Sequence, residues 1–243
     1  MQKKIIYTNN NLDYKYKIIS NAIKNKKISF AKALLNNNDE HIFEKIFNIK
    51  IKVSPNIVFE NRYGYHKDGY PYESSYPIFM GDILNNVEFN ENDIIWDSGC
   101  GTGFALICFA TKKVKHCKGI EIQYDIFRHG EANVNSIQDN PLFISPIEII
   151  HGDVNDPQFD LSDGTKYYLY NPFGEKTFTN ILNKIENSLK PGANPRHIEI
   201  IYTLPNGLLD IVPGCRNILD ATPWMKLKKS FCGDLIEVWE NKP

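Results

Sequence analysis

Apolar residues near the start of the chain recur at intervals of three and four: Leu12, Tyr16, Ile19 and Ile23, then Phe30 and Leu34. That period puts them on one face and predicts an amphipathic helix over 12–35. The run Asn36-Asn37-Asn38-Asp39 breaks it. Asp39 is placed to cap a second helix, with Ile42, Phe43, Ile46 and Phe47 on one side, that reaches about Ile49. From Glu60 to Pro77 the pattern changes: five tyrosines alternate with glycines, prolines and charges, which forbids a long helix or strand. Pro77 opens a short helix to Val87.

Beyond this point short apolar runs alternate with helical periods. Strands are predicted at 93–97, 117–123, 147–151, around Tyr167–Tyr170 and at 197–203, and helices at 103–114, 124–137 and 177–189. Lys190-Pro191-Gly192 stops the last helix, and Met225–Phe231 and Leu235–Trp239 read as a hairpin around Gly233. Strand and helix in alternation predict an α/β fold with a mostly parallel sheet. The expected organisation is a helical cap over 1–58, an aromatic loop and lead-in helix over 59–91, and the sheet domain over 92–243.

One unit carries chemistry. The strand Ile94-Ile95-Trp96 ends at Asp97 and is followed by Gly99, Gly101 and Gly103, a helix, and a second strand ending at Glu121. Glycines allow a ligand to approach the main chain, a helix N-terminus offers backbone N–H groups, and an acidic residue some twenty positions on can hold ribose hydroxyls. A dinucleotide fingerprint would put its third glycine at 104, but Phe104 stands there and the glycine is at 103.

The pattern D-x-G-x-G-x-G resembles motif I of the class I S-adenosylmethionine-dependent methyltransferases. Three more segments follow in that family's order: Gly119-Ile120-Glu121, His151-Gly152-Asp153 and Asn171-Pro172-Phe173. The resemblance implies a Rossmann-like seven-stranded sheet of order 3-2-1-4-5-7-6, closed by the C-terminal hairpin. It implies S-adenosyl-L-methionine as cofactor, held by Asp97, Gly99, Gly101, Gly103, Glu121, Ile122, Asp153 and Val154. Glu121 would take the ribose, while Asp153 and the Val154 N–H would take the adenine. The segment before the first strand would fold over the cofactor, bringing Tyr70, Tyr72, Glu73 and Ser75 to its methionine end or to a substrate wall.

Asn171-Pro172-Phe173 is similar to a shortened N-P-P-F/Y motif, by which amino-methylating enzymes hold a planar nitrogen through side-chain and backbone oxygens beside a stacked ring. The chain also resembles bacterial methyltransferases with N-P-F at this place and, more distantly, DOT1-type lysine methyltransferases. Asn171, which also borders the cofactor, and Phe173 are therefore expected to position the methyl acceptor. Three functions follow: methyl transfer to a small molecule or protein side chain, N-methylation of a nucleic acid such as RNA, or a non-catalytic binding module that keeps the nucleotide fold.

Composition adjusts this picture little. With 243 residues, 42% of them hydrophobic, the chain can fill one α/β domain with an extension. Its formal charge of −1 hides +7 over residues 1–52 against −8 over the rest, so a basic appendage could grip nucleic acid or an acidic partner. No apolar run is long enough for a membrane span and none follows Lys3-Lys4 as a signal, so a cytoplasmic protein is expected. Five cysteines without a C-x-x-C pair read as reduced thiols, with Cys100 facing the glycine turn. The spacing of His66, His129, His151 and His197 closes no metal site with carboxylates, and only His66, in the tyrosine loop, is placed to be a base.

Overall fold

A computed structural model describes residues 9–53, 68–190, 194–204 and 214–242. His66 and most of the first half of the tyrosine loop lie outside the described residues. The N-terminal helices are α1 (Asn9–Lys24), α2 (Phe30–Leu35) and α3 (Glu40–Phe47). The helix expected over 12–35 is thus two. Lys26 takes a left-handed φ of 53°, which ends α1, and Ser29 starts α2 by accepting from the Lys32 N–H at 3.2 Å. Asp39 caps α3 as expected, accepting from the His41 N–H at 3.1 Å.

The rest follows as α4 (Pro77–Asn86), β1 (Ile94–Ser98), α5 (Phe104–Phe109), β2 (His116–Glu121), α6 (Tyr124–Ile137), β3 (Ile147–His151), β4 (Lys166–Leu169), α7 (Glu175–Leu189), β5 (Glu199–Thr203), α8 (Gly214–Ala221), β6 (Met225–Phe231) and β7 (Ile236–Asn241). Helix α5 stops well short of Val114. The Ala110 carbonyl accepts from the Ile144 and Ser145 N–H groups, and the Ser145 hydroxyl holds the chain at Lys112 and Val114. These tertiary bonds replace helix continuation.

The seven strands form one sheet in the order β3-β2-β1-β4-β5-β7-β6. All neighbours are parallel except β7, which runs antiparallel to β5 and pairs with β6 as the expected hairpin. This is the Rossmann-like methyltransferase sheet, distinguished from dehydrogenase sheets by the reversed β7.

Two apolar layers cover the sheet. One joins Phe30, Leu34 and Phe43 of the N-terminal helices to Phe79, Leu106, Ile95 and Ile201, so α2 and α3 share the sheet's own core. Gly81 lets α2 and α4 touch, since a Cβ there would lie 2.7 Å from the Leu35 nitrogen. The other layer packs Phe178, Ile181 and Ile185 of α7 and Leu219 of α8 against Trp96, Ile200 and Trp239.

Candidate active site

A cavity of about 570 Å³ opens beyond the C-terminal ends of β1, β2, β3 and β4. In an open α/β sheet that edge is where strand order reverses and a crevice forms. Of the residues singled out from sequence, Tyr70, Tyr72, Ser75, Asp97, Gly99, Glu121, Ile122, Asp153, Val154, Asn171 and Phe173 line it.

Gly101 and Gly103 do not line it. All three motif glycines take positive φ, at 80°, 56° and 76°, so the turn itself demands them. Their missing side chains make room for protein. A Cβ on Gly101 would lie 2.1 Å from the Tyr72 ring, and one on Gly103 would lie 2.6 Å from Ile149 Cδ1. The turn's amides are also largely engaged within the chain. Gly99 and Cys100 donate to the Ile120 carbonyl, Gly103 donates to the Cys100 carbonyl, and Gly101 donates to Glu121 Oε2 at 2.9 Å.

The turn therefore shapes one wall of the cavity and ties Glu121 to it. Glu121 is nearly buried and also accepts from the Gln123 N–H at 2.8 Å. Beyond the ribose role that the resemblance implies, Glu121 braces the turn. Burial pushes its pKa up to about 7, against the opposing pull of its backbone hydrogen bonds.

Asp97 is different in kind. It is 3% exposed and lines the cavity, yet among the described residues it has no hydrogen-bond or ion-pair partner. Burial first, and the charge of Glu121 second, hold its pKa well above the ordinary carboxylate range. The neighbouring Cys100 thiol is pushed up by the same burial, so it stays a protonated, unreactive thiol.

The segment from Asp68 to Ser75 forms the opposite wall. Gly69 bridges Phe173, the Tyr70 N–H donates to the Pro172 carbonyl at 3.1 Å, and Asp68 receives the Gly174 and Thr177 N–H groups. Ser75 and Tyr168 join hydroxyls at 2.9 Å. Tyr72 donates to the Ile51 carbonyl at 2.7 Å and meets Thr102 Oγ1 at 2.9 Å. Asn171 sits in the left-handed region at φ 42°, buried, with its Oδ1 accepting from the Tyr202 hydroxyl at 3.0 Å. Pro172 and Phe173 lie against Gly99. Asp153 accepts from the Asn155 backbone and side chain, at 2.8 and 3.0 Å, and so keeps its loop folded back beside the cavity.

Several residues that matter here were not singled out from the sequence. Asn133 of α6 is 2% exposed, and its amide meets the Lys50 N–H and the carbonyls of Lys50 and Thr102 at 2.6, 2.8 and 2.9 Å. With Tyr72 and Thr102 it ties the chain after α3 to the glycine turn. A signal existed: Ile126, Gly130, Asn133 and Ile137 are the buried stripe of α6, and a polar residue within such a stripe needs partners. Tyr202 gave none, being one more apolar-looking position in a buried strand.

One sequence expectation about metals needs revision. His197, Glu199 and Glu240 bring ligand atoms within 4.8 Å of one another, since His197 stands just before β5 and Glu199 pairs with Glu240 across β5 and β7. Lys166 and Lys228 already bind Glu199, each at 2.5 Å, and Lys226 binds Glu240 at 3.2 Å, so these carboxylates have their cations. Among the described residues, no helix is long and apolar enough to cross a membrane.

No protein-family model matches the sequence, and no curated protein matches it. Solved structures resemble it in fold. An RNA methyltransferase from Salinibacter ruber in complex with S-adenosyl-L-homocysteine has 18% identity and a TM-score of 0.46, covering 70% of this chain and 92% of that one. A SAM-dependent O-methyltransferase from Thermotoga maritima has 16% identity and a TM-score of 0.48, covering 70% and 67%. A SAM-dependent methyltransferase from Aquifex aeolicus has 15% identity and a TM-score of 0.45, covering 66% and 88%.

Proposed function

We propose that the chain is a methyltransferase that carries the methyl group of S-adenosylmethionine to a small-molecule or protein side-chain acceptor. The observation that carries this reading is Asp97: a buried carboxyl group without a partner among the described residues, lining a cavity of nucleoside-binding size. A lone buried anion is costly unless a ligand supplies the opposite charge, and this cofactor bears a sulfonium and an ammonium. Glu121, at the tip of β2, would take two sugar hydroxyls and the Asp153–Val154 corner the base, a reading supported by their all lining the same cavity.

When bound, the cofactor supplies a methyl group on a sulfonium whose sulfur leaves as a neutral thioether, so much of the reactivity is its own. The residues of this chain have to align and enclose. Asp97 and Glu121 fix the cationic and sugar ends on one side of the glycine turn. The wall from Gly69 to Ser75, bonded to Pro172 and Tyr168, covers the opposite side and keeps water out. Asn171 and Phe173 stand where β4 leaves the sheet and would set the acceptor in line.

A product search tests the activity. The full chain, incubated with cell extract and S-adenosylmethionine carrying an isotope-labelled methyl group, is expected to yield a labelled product that disappears with Asp97→Asn. Absence of any labelled product over a range of extracts and pH would count against methyl transfer.

A further inference from the structure

The turn after β4 decides which hydrogen bonds the acceptor can be offered. To hold a planar amino group, such a turn must turn free oxygens toward it. Here three of its oxygens already serve the protein. Asn171 Oδ1 accepts from Tyr202, the Pro172 carbonyl accepts from the Tyr70 N–H, and the Phe173 carbonyl accepts from Cys215 Sγ at 3.4 Å. The Nδ2 group of Asn171, in contrast, has no partner among the described residues, although Asn171 is 5% exposed and lines the cavity.

The Tyr202 hydroxyl decides which end of the amide faces inward. Tyr202 is fully buried on β5 and wedged edge-on against Phe178, with ring centroids 5.7 Å apart, so it cannot follow a rotated amide. Burial raises its phenol well above the ordinary value, so the hydroxyl stays protonated and able to donate. Asn171 is itself held by a left-handed backbone, which limits where its side chain can go.

The geometry points to Tyr202 as a positioning residue that makes Asn171 a hydrogen-bond donor to the acceptor, and to an acceptor whose nucleophile is an oxygen, specifically a carboxylate. This deepens the methyltransferase reading and rests on it. A carboxylate oxygen offers one lone pair to the methyl carbon and another to the Asn171 N–H groups. The O–CH3 bond forms as the C–S bond breaks, the bonding pair stays on sulfur, and no proton has to leave. A primary amine at the same place would set its own N–H groups against those of Asn171, donor against donor.

The test uses the full chain with ¹⁵N-labelled asparagine side chains and added S-adenosylhomocysteine, with Asn171→Ala serving to assign the resonance. Sodium acetate and methylammonium chloride are titrated separately at constant ionic strength. Acetate is expected to shift the Asn171 side-chain signal saturably, and methylammonium to leave it in place. Tyr202→Phe, checked for folding by its melting curve, is expected to weaken the acetate response by about tenfold, the worth of one hydrogen bond to a charged group, with S-adenosylhomocysteine affinity unchanged. A response to methylammonium, silence to both probes, or an unaltered acetate response in Tyr202→Phe would overturn the assignment. Failure of S-adenosylhomocysteine to bind the wild type would instead strike the methyltransferase reading itself.

Discussion

Asp97 and Glu121 are both buried and both line the cavity, and among the described residues neither has a cation of its own. A carboxylate whose pKa is raised on folding stabilises the fold below its unfolded pKa, and that contribution is lost as pH rises through the folded value, about 7 for Glu121. A cationic ligand reverses the preference, because it favours the ionised carboxylates. Cofactor affinity is therefore expected to rise with pH between about 6 and 8, with proton release on binding. Calorimetry in buffers of differing ionisation heat measures this, and proton uptake or a flat profile would contradict it. Asp97→Asn removes a buried acid whose ionisation no cation among the described residues offsets. It is expected to raise the stability of the empty protein at pH 8 by about 1–2 kcal/mol, read as a higher unfolding midpoint. A lower midpoint would mean that the carboxylate has a structural partner. Gly101→Ala combines φ 56° with a Cβ 2.1 Å from the Tyr72 ring, and is expected to destabilise by about 2–3 kcal/mol in chemical denaturation.

At the scale of elements, the periodic segments were legible and their ends were not. The strands at 147–151 and 225–231 and the helix at 124–137 have the bounds expected of them, and the helix buries Ile126, Gly130, Asn133 and Ile137 along one face. The 12–35 segment splits, since a left-handed Lys26 and a Ser29 cap override a period that runs on past them. Helix α5 is cut short by Ser145, which lies more than thirty positions away and leaves no local mark. Motif spacing singled out Asp97, Glu121 and Asn171, and all three line the cavity. It could not show that Gly101 and Gly103 face Tyr72 and Ile149, because those contacts join segments distant in sequence. Asn133 joins the chain after α3 to the glycine turn through three hydrogen bonds. Asn133→Ala is expected to cost about 2–3 kcal/mol of stability, since it strands the buried Thr102 carbonyl and the part-buried N–H and carbonyl of Lys50. An unaltered unfolding midpoint would show that the helical segment and the turn are independent.

At the scale of the molecule, the N-terminal segment is part of the fold. Leu34 and Phe43 are fully buried in the layer that also holds Ile95 and Ile201 of the sheet. Deleting residues 1–52 is therefore expected to give aggregated or molten protein, visible as loss of a cooperative transition. A soluble truncated chain with a sharp transition would contradict the shared core. The alternation of strands and helices predicted a mostly parallel sheet, while its order was what the resemblance to class I methyltransferases implied, and the seven strands take that order.

The account rests on a cation-bearing nucleoside meeting Asp97, and titration calorimetry of the full chain with S-adenosylmethionine at pH 7.5 tests this most directly. Wild type is expected to bind at one site with Kd on the order of micromolar, within the usual range for enzyme ligands, and Asp97→Asn to bind at least about tenfold more weakly. No binding by wild type, or equal affinity in the two proteins, would contradict the account.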